Sequence, residues 1–101
     1  MEYVDILRRL VAMDTTNDPA RQQRPGPECS KYLQDQFAAS GLKTEILEQA
    51  GYFSVVGLRG GGQPVTLLLA HFDVVPPGPG WNSNPFELIV RRGMAYGRGT
   101  V

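Results

Sequence analysis

Two side chains of this sequence are suited by type and spacing to chemistry. His71 and Asp73, an imidazole and a carboxylate two positions apart, follow directly on the apolar run Val65-Thr66-Leu67-Leu68-Leu69-Ala70. In extended backbone, residues i and i+2 project to the same side, so the pair would share one face. A neutral imidazole is a good metal ligand, and a nearby carboxylate can fix its tautomer or add charge to the site. The same residues admit a structural reading, in which His71 caps a buried strand and Asp73 opens the turn toward Pro76-Pro77-Gly78. A bare His-x-Asp favours that second reading, so what surrounds the pair must decide.

The elements that would position the pair follow from the pattern of apolar residues. Leu67 to Ala70 lacks the alternation of a half-exposed strand, which predicts a strand covered on both faces. Open α/β sheets place their chemistry just beyond the carboxyl ends of such strands, where His71 and Asp73 stand. Upstream, residues 3–13 carry apolar side chains at helical spacing, with Asp5, Arg8 and Arg9 on the outer face. Asp14-Thr15-Thr16-Asn17-Asp18-Pro19 reads as a helix stop and loop. The polar, proline-broken segment 21–27 reads as an exposed loop whose Arg21 and Arg24 are either solvated charges or an anion contact.

A second helix is expected over residues 27–40, with Pro27 and Glu28 in its first turn. Tyr32, Leu33, Phe37 and Ala38 form its buried stripe, and Gly41 ends it in a left-handed conformation. Residues 42–47 and 54–58 read as strands. The turn Gly60-Gly61-Gly62-Gln63-Pro64 then leads into the central run, with no Lys-Ser/Thr and no helix to make it a phosphate loop. Past Asp73, a proline- and glycine-rich loop carries Trp81 and Phe86, which either pin the loop or meet a substrate. A loop of that length usually has a binding or catalytic reason. Residues 88–90 and 94–96 flank Arg91-Arg92-Gly93 as a hairpin with Gly93 at positive φ. Helix, helix, then strands predicts an α/β fold with two helices packed on a mixed sheet. A hairpin followed at once by Gly97-Arg98-Gly99-Thr100-Val101 leads us to expect further polypeptide and an incomplete domain.

Composition narrows the function classes. Ten basic and ten acidic residues cancel, so the chain has no electrostatic footprint for nucleic acid or an anionic membrane surface. No apolar run has the length of a transmembrane helix, and the first five residues lack the layout of a secretory signal. The single cysteine, Cys29, allows no internal disulfide and suits a reducing, cytoplasmic location. With no histidine near it in sequence, Cys29 reads as a structural thiol on a helix, not a nucleophile.

Four separated motifs weigh on the competition over His71 and Asp73. His71-Phe72-Asp73-Val74-Val75-Pro76, then Trp81, then Pro85-Phe86, then Tyr96-Gly97-Arg98-Gly99-Thr100 occur in order. Together they resemble the co-catalytic zinc amidohydrolase and metallopeptidase family of acetylornithine deacetylase, succinyl-diaminopimelate desuccinylase, aminoacylase and carboxypeptidase G. The opening is similar too: a helix ending Met13-Asp14-Thr15-Thr16-Asn17, a proline-bearing loop and a second helix. The resemblance covers the whole chain, as the N-terminal portion of a zinc-peptidase-like catalytic domain.

The resemblance implies that His71 ligates one zinc and that Asp73 is the active-site aspartate supporting that histidine. Gly97-Arg98-Gly99-Thr100 matches the loop leading to the family's metal-bridging aspartate, whose position follows Val101. The family's Glu-Glu pair, a further acidic ligand, a distal histidine and the dimerisation domain have no counterpart in these residues. The implied cofactor is a pair of zinc ions, with cobalt or manganese as alternatives. The implied substrates are N-acyl amino acids or small peptides, cleaved at the amide by a complete, homodimeric enzyme. A catalytic zinc ordinarily takes three protein ligands. With one histidine in total, and with Asp14 and Glu87 given no ligand role by the family, this chain alone is expected to be inactive. The missing C-terminal portion would come from the same or a second chain. The competing readings are a non-catalytic binding or regulatory fragment that docks on a partner chain, and an independent small α/β domain. The substrate-binding residues are unassigned.

Overall fold

The computed structural model describes residues 3–63 and 66–100. The expectations that fall on Pro64, Val65 and Val101, and on the first two residues, lie outside them. Helix α1 (Tyr3–Ala12) is followed by a 3-10 turn (Pro19–Arg21), helix α2 (Glu28–Ala39) and strands β1 (Lys43–Gln49) and β2 (Tyr52–Leu58). Strands β3 (Ile89–Arg91) and β4 (Met94–Tyr96) complete the order. The fold is mixed α/β, as the pattern predicts. The sheet differs from expectation: instead of one mixed sheet there are two antiparallel hairpins, β1–β2 and β3–β4. The one parallel contact among the described residues is the isolated bridge between Thr16 and Val74.

Helix α2 and the first hairpin form one packing unit. The helix ends in a Schellman motif: the Leu42 amide donates to the Phe37 carbonyl and the Gly41 amide to that of Ala38, each at 3.0 Å. Gly41, at φ 86°, provides the left-handed residue this closure requires. The turn throws Leu42 back over Phe37 and starts β1 beside the helix it has just left. Across the hairpin, Thr44 faces Gly57, Ile46 faces Val55 and Glu48 faces Phe53. Gly57 serves close approach, since a Cβ there would lie 2.9 Å from both the Phe37 ring and Leu42 Cδ1. Both hairpin turns are type I′ in their signs, with Ala50–Gly51 and Arg92–Gly93 all at positive φ.

Helix α1 packs elsewhere, on the segment after the long loop. The Arg8 guanidinium donates to the Leu88 carbonyl at 2.9 Å. A Cβ on Gly97 would come within 2.9 Å of Val11 Cγ1, so Gly97 lets that backbone lie on the helix. The core is thin: Val11, Cys29 and Leu88 are its buried hydrophobic residues, joined by buried Thr15, Thr16 and Ser30. Tyr32, Leu33 and Phe37 are half-buried as the helical stripe predicts, but Ala38 is exposed. The Cα radius of gyration is 15.3 Å, above the ~13 Å of a compact domain of 100 residues.

The central strand is the main correction. Residues 66–70 run without strand pairing, and Leu67, Leu68 and Leu69 are 83%, 91% and 87% exposed. A buried strand needs hydrogen-bonding neighbours at its edges and a layer on each face. Here β1 pairs with β2 and β3 with β4, and no described strand lends an edge to the leucine run.

Two outcomes follow. Gly57→Val forces a β-branched side chain against Phe37 and Leu42, and overpacking should cost about 1–3 kcal/mol, read as a lower urea midpoint at unchanged m-value. Burial pushes the Cys29 thiol up to about 11 from 9.0. Thiol labelling should therefore be slow near neutral pH and fast in denaturant. The native state holds the proton more tightly than the unfolded chain, so this group leaves stability unaffected below pH 9.0 and lowers it from there to about 11. Labelling of the native chain as fast as that of free cysteine would refute the buried placement.

Candidate functional site

The end of the leucine run is fixed by a backbone splice to the segment leaving α1. The Val74 amide donates to the Thr15 carbonyl at 3.1 Å, and the Asn17 amide donates to the Val74 carbonyl at 2.8 Å. The Thr15 hydroxyl adds a bond to the Phe72 carbonyl at 2.8 Å. The stretch read from sequence as a simple loop is therefore a strand-like partner for residues 72–74. Asp14 stabilises its entry, Oδ1 accepting from the Thr16 amide at 3.0 Å.

On this splice, His71 and Asp73 meet as the i, i+2 spacing predicts. His71 Nδ1 lies 3.1 Å from Asp73 Oδ1 and 3.0 Å from the Asp73 backbone oxygen. A carbonyl oxygen can only accept, so the proton of the neutral ring sits on Nδ1. The lone pair is then on Nε2, on a side chain that is 83% exposed against 42% for Asp73. The second carboxylate oxygen is also engaged: Asn17 Nδ2 donates to Asp73 Oδ2 at 3.1 Å. Tyr52, at the start of β2, donates its hydroxyl to Asn17 Oδ1 at 3.3 Å, and the Arg24 guanidinium stacks 5.8 Å from the Tyr52 ring centroid. Sequence reading missed Asn17 and Tyr52. Asn17 lay within a quoted motif, whereas nothing local marks Tyr52, which arrives through the β1–β2 register.

The last of the four motifs comes to the same place. A Cβ on Gly99 would sit 3.1 Å from Val74 Cγ1, so residues 97–99 pass directly beside the splice. The Arg98 amide donates to the Pro85 carbonyl at 2.7 Å, and its guanidinium donates to the Pro76 carbonyl at 3.0 Å. Trp81 lies under that guanidinium, 5.5 Å from centroid to Cζ, and its indole N–H donates to the Pro77 carbonyl at 3.0 Å. Trp81 thus pins its own loop. A cleft of about 180 Å³ beside the pair is lined by Leu10, Thr15, His71, Asp73, Phe86 and Arg98, among others.

The donor set fits one position of a metal site and not a whole one. His71 offers an oriented Nε2, but among the described residues no three His, Cys, Asp or Glu side chains converge as a metal centre would need. Arg21 lies 3.7 Å from Asp18, and Arg24 stacks on the Tyr52 ring. Among the described residues no helix is long and apolar enough to cross a membrane.

No family model matches the chain. Curated relatives do. The succinyl-diaminopimelate desuccinylase of Xanthomonas campestris pv. campestris (strain B100) is 42% identical over 75 residues, covering 72% of this chain and 20% of the relative. Proteins of the same name from Xanthomonas oryzae pv. oryzae (strain PXO99A) and Halorhodospira halophila are 38% and 40% identical over 94 and 98 residues. Each alignment covers 88% of this chain, and 25% and 26% of the respective relative. The chain thus spans about a fifth to a quarter of the length of the curated relatives it matches. Across the length it shares with them, the chain is similar to these succinyl-diaminopimelate desuccinylases.

Proposed function

We propose that this chain forms the N-terminal part of the catalytic domain of a metal-dependent hydrolase that cleaves the amide bond of N-acyl amino acids or small peptides. The relatives' names favour an N-succinyl amino acid as substrate. The observation that carries the reading is His71 Nδ1 held between two oxygens of Asp73. A ligating histidine is ordinarily oriented by this kind of second hydrogen bond, which also raises its basicity. His71 then serves as a metal ligand through Nε2, and Asp73 holds the ring and supplies negative charge beside it. Zinc, or cobalt or manganese in its place, would lower the pKa of a water and polarise the scissile carbonyl when bound. The general base, the remaining ligands and the residues that select the acyl group belong to polypeptide outside these residues. The chain by itself is inactive on this reading.

Three bare leucines next to the site support the same view, because polypeptide that completes the ligand set can also cover them. We place that polypeptide in the same or a second chain of a cytoplasmic homodimer. A non-catalytic fragment that docks on a partner chain is the second reading, and the same exposed run favours it.

A chimera separates the two. Residues 3–100 replace the matching segment of the Halorhodospira halophila relative, and metal content and hydrolysis of N-succinyl amino acids are measured. The hydrolase reading expects a metal-loaded, active chimera. It expects His71→Ala to lose both properties, and Asp73→Asn to lose about 10–100-fold in activity or metal affinity. A folded chimera that is metal-free and inactive, or one indifferent to His71→Ala, would sink it.

A further inference from the structure

Asp73 is gripped from both sides. Oδ1 faces His71 Nδ1, and Oδ2 takes the Asn17 amide N–H at 3.1 Å. Only one orientation of the Asn17 amide serves this contact, because a carboxylate can only accept and a flipped amide would oppose two oxygens. That orientation leaves Asn17 Oδ1 for the Tyr52 hydroxyl, 3.3 Å away. Asn17 itself cannot drift, since its backbone amide is tied to the Val74 carbonyl at 2.8 Å. Tyr52 is steadied in turn by Arg24 over its ring. The result is a directional chain, Tyr52 O–H to Asn17, Asn17 N–H to Asp73, with Asp73 accepting from His71.

We propose that Asn17, set by Tyr52, is a positioning residue that locks the Asp73 carboxylate and so holds His71 as its Nδ1–H tautomer with Nε2 free to ligate. The catalytic meaning of this role rests on the hydrolase reading above, but the positioning itself does not. An exposed imidazole would otherwise exchange tautomers, presenting a lone pair on Nε2 for only part of the time. A carboxylate bound on one oxygen could rotate away, leaving the Asp73 backbone carbonyl as the only acceptor at Nδ1. A charged acceptor held in place makes the stronger bond of the two.

The test exploits the fact that His71 is the sole histidine. Two-bond ¹H–¹⁵N correlation spectra of the full ¹⁵N-labelled chain, taken with the ring neutral, report the tautomer ratio of this one side chain. Asn17→Ala should lower the Nδ1–H to Nε2–H ratio about threefold, the scale of one modest hydrogen bond. Asp73→Ala should lower it further, and Tyr52→Phe should lower it less than Asn17→Ala. Backbone amide spectra confirm that each variant is folded. Where Asn17→Ala is not, Asn17→Asp keeps the size and replaces the donor by an acceptor, and should show the same loss. A ratio unmoved by the folded Asn17 variant overturns the proposal, as does one unmoved by Asp73→Ala. Failure of the hydrolase reading is distinct: an inactive chimera with a responsive ratio overturns that reading alone. An active chimera with an unresponsive ratio overturns the positioning role alone.

Discussion

The arrangement depends on three hydrogen bonds that sew the exit of α1 to the end of the leucine run: Thr15 Oγ1 to Phe72, Val74 to Thr15 and Asn17 to Val74. They join segments that lie 57 residues apart in sequence. The leucine run has no sheet partner of its own, so without this splice His71 and Asp73 would hang on a free loop. Thr15 and Thr16 are among the few buried residues, which shields the splice from competing water. The cost of closing so long a loop rises only slowly with its length, so a few well-made bonds and modest burial can hold it. Gly99 and Arg98 then use the splice as a foundation, one lying against Val74 and the other bonding to Pro76.

A magnitude shows how open the surroundings of the leucine run are. Fully burying a leucine contributes about 1.5–3 kcal/mol, so three bare leucines withhold roughly 5–9 kcal/mol. The net stability of a typical domain is only about 5–15 kcal/mol. The apolar surface left uncovered at Leu67, Leu68 and Leu69 is thus comparable, as an energy, to what holds an ordinary domain together. Neither α2 packed on β1–β2 nor the contacts of α1 with Leu88 and Gly97 supply that cover.

What could be read from the sequence was what is decided locally. Helical spacing set α1, Gly41 marked the Schellman turn that ends α2, and the Arg91-Arg92-Gly93 hairpin formed with Arg92 also at positive φ. The His71–Asp73 contact was legible because i, i+2 geometry in extended backbone is itself local. The run from Leu67 to Ala70 was over-read: an unbroken apolar stretch states what a segment would gain from cover, not whether cover is present. Thr15, Asn17 and Tyr52 were unreadable as site residues for the complementary reason. Their contacts with Phe72, Asp73 and Asn17 span 57, 56 and 35 residues, and no spacing rule reaches so far. Two β-branched residues in a segment read as loop, Thr15-Thr16, were the one hint that it pairs as a strand.

The exposed leucines adjoin the exposed imidazole in sequence, and that adjacency would link stability to chemistry. His71 follows the bare run immediately, so a layer laid over Leu67, Leu68 and Leu69 would also crowd water away from His71 and Asp73. Removing water strengthens the His71–Asp73 contact, because the same charges interact more strongly at lower effective dielectric. It also makes a solitary oriented lone pair on Nε2 costly to leave unused, which favours a cation there. On the hydrolase reading proposed above, ligands arriving with a covering layer would answer that need, so burial of the leucine run and capture of a metal would be coupled. The Asp73 carboxylate is engaged on both oxygens, and His71 Nδ1 faces both Oδ1 and the backbone oxygen of Asp73.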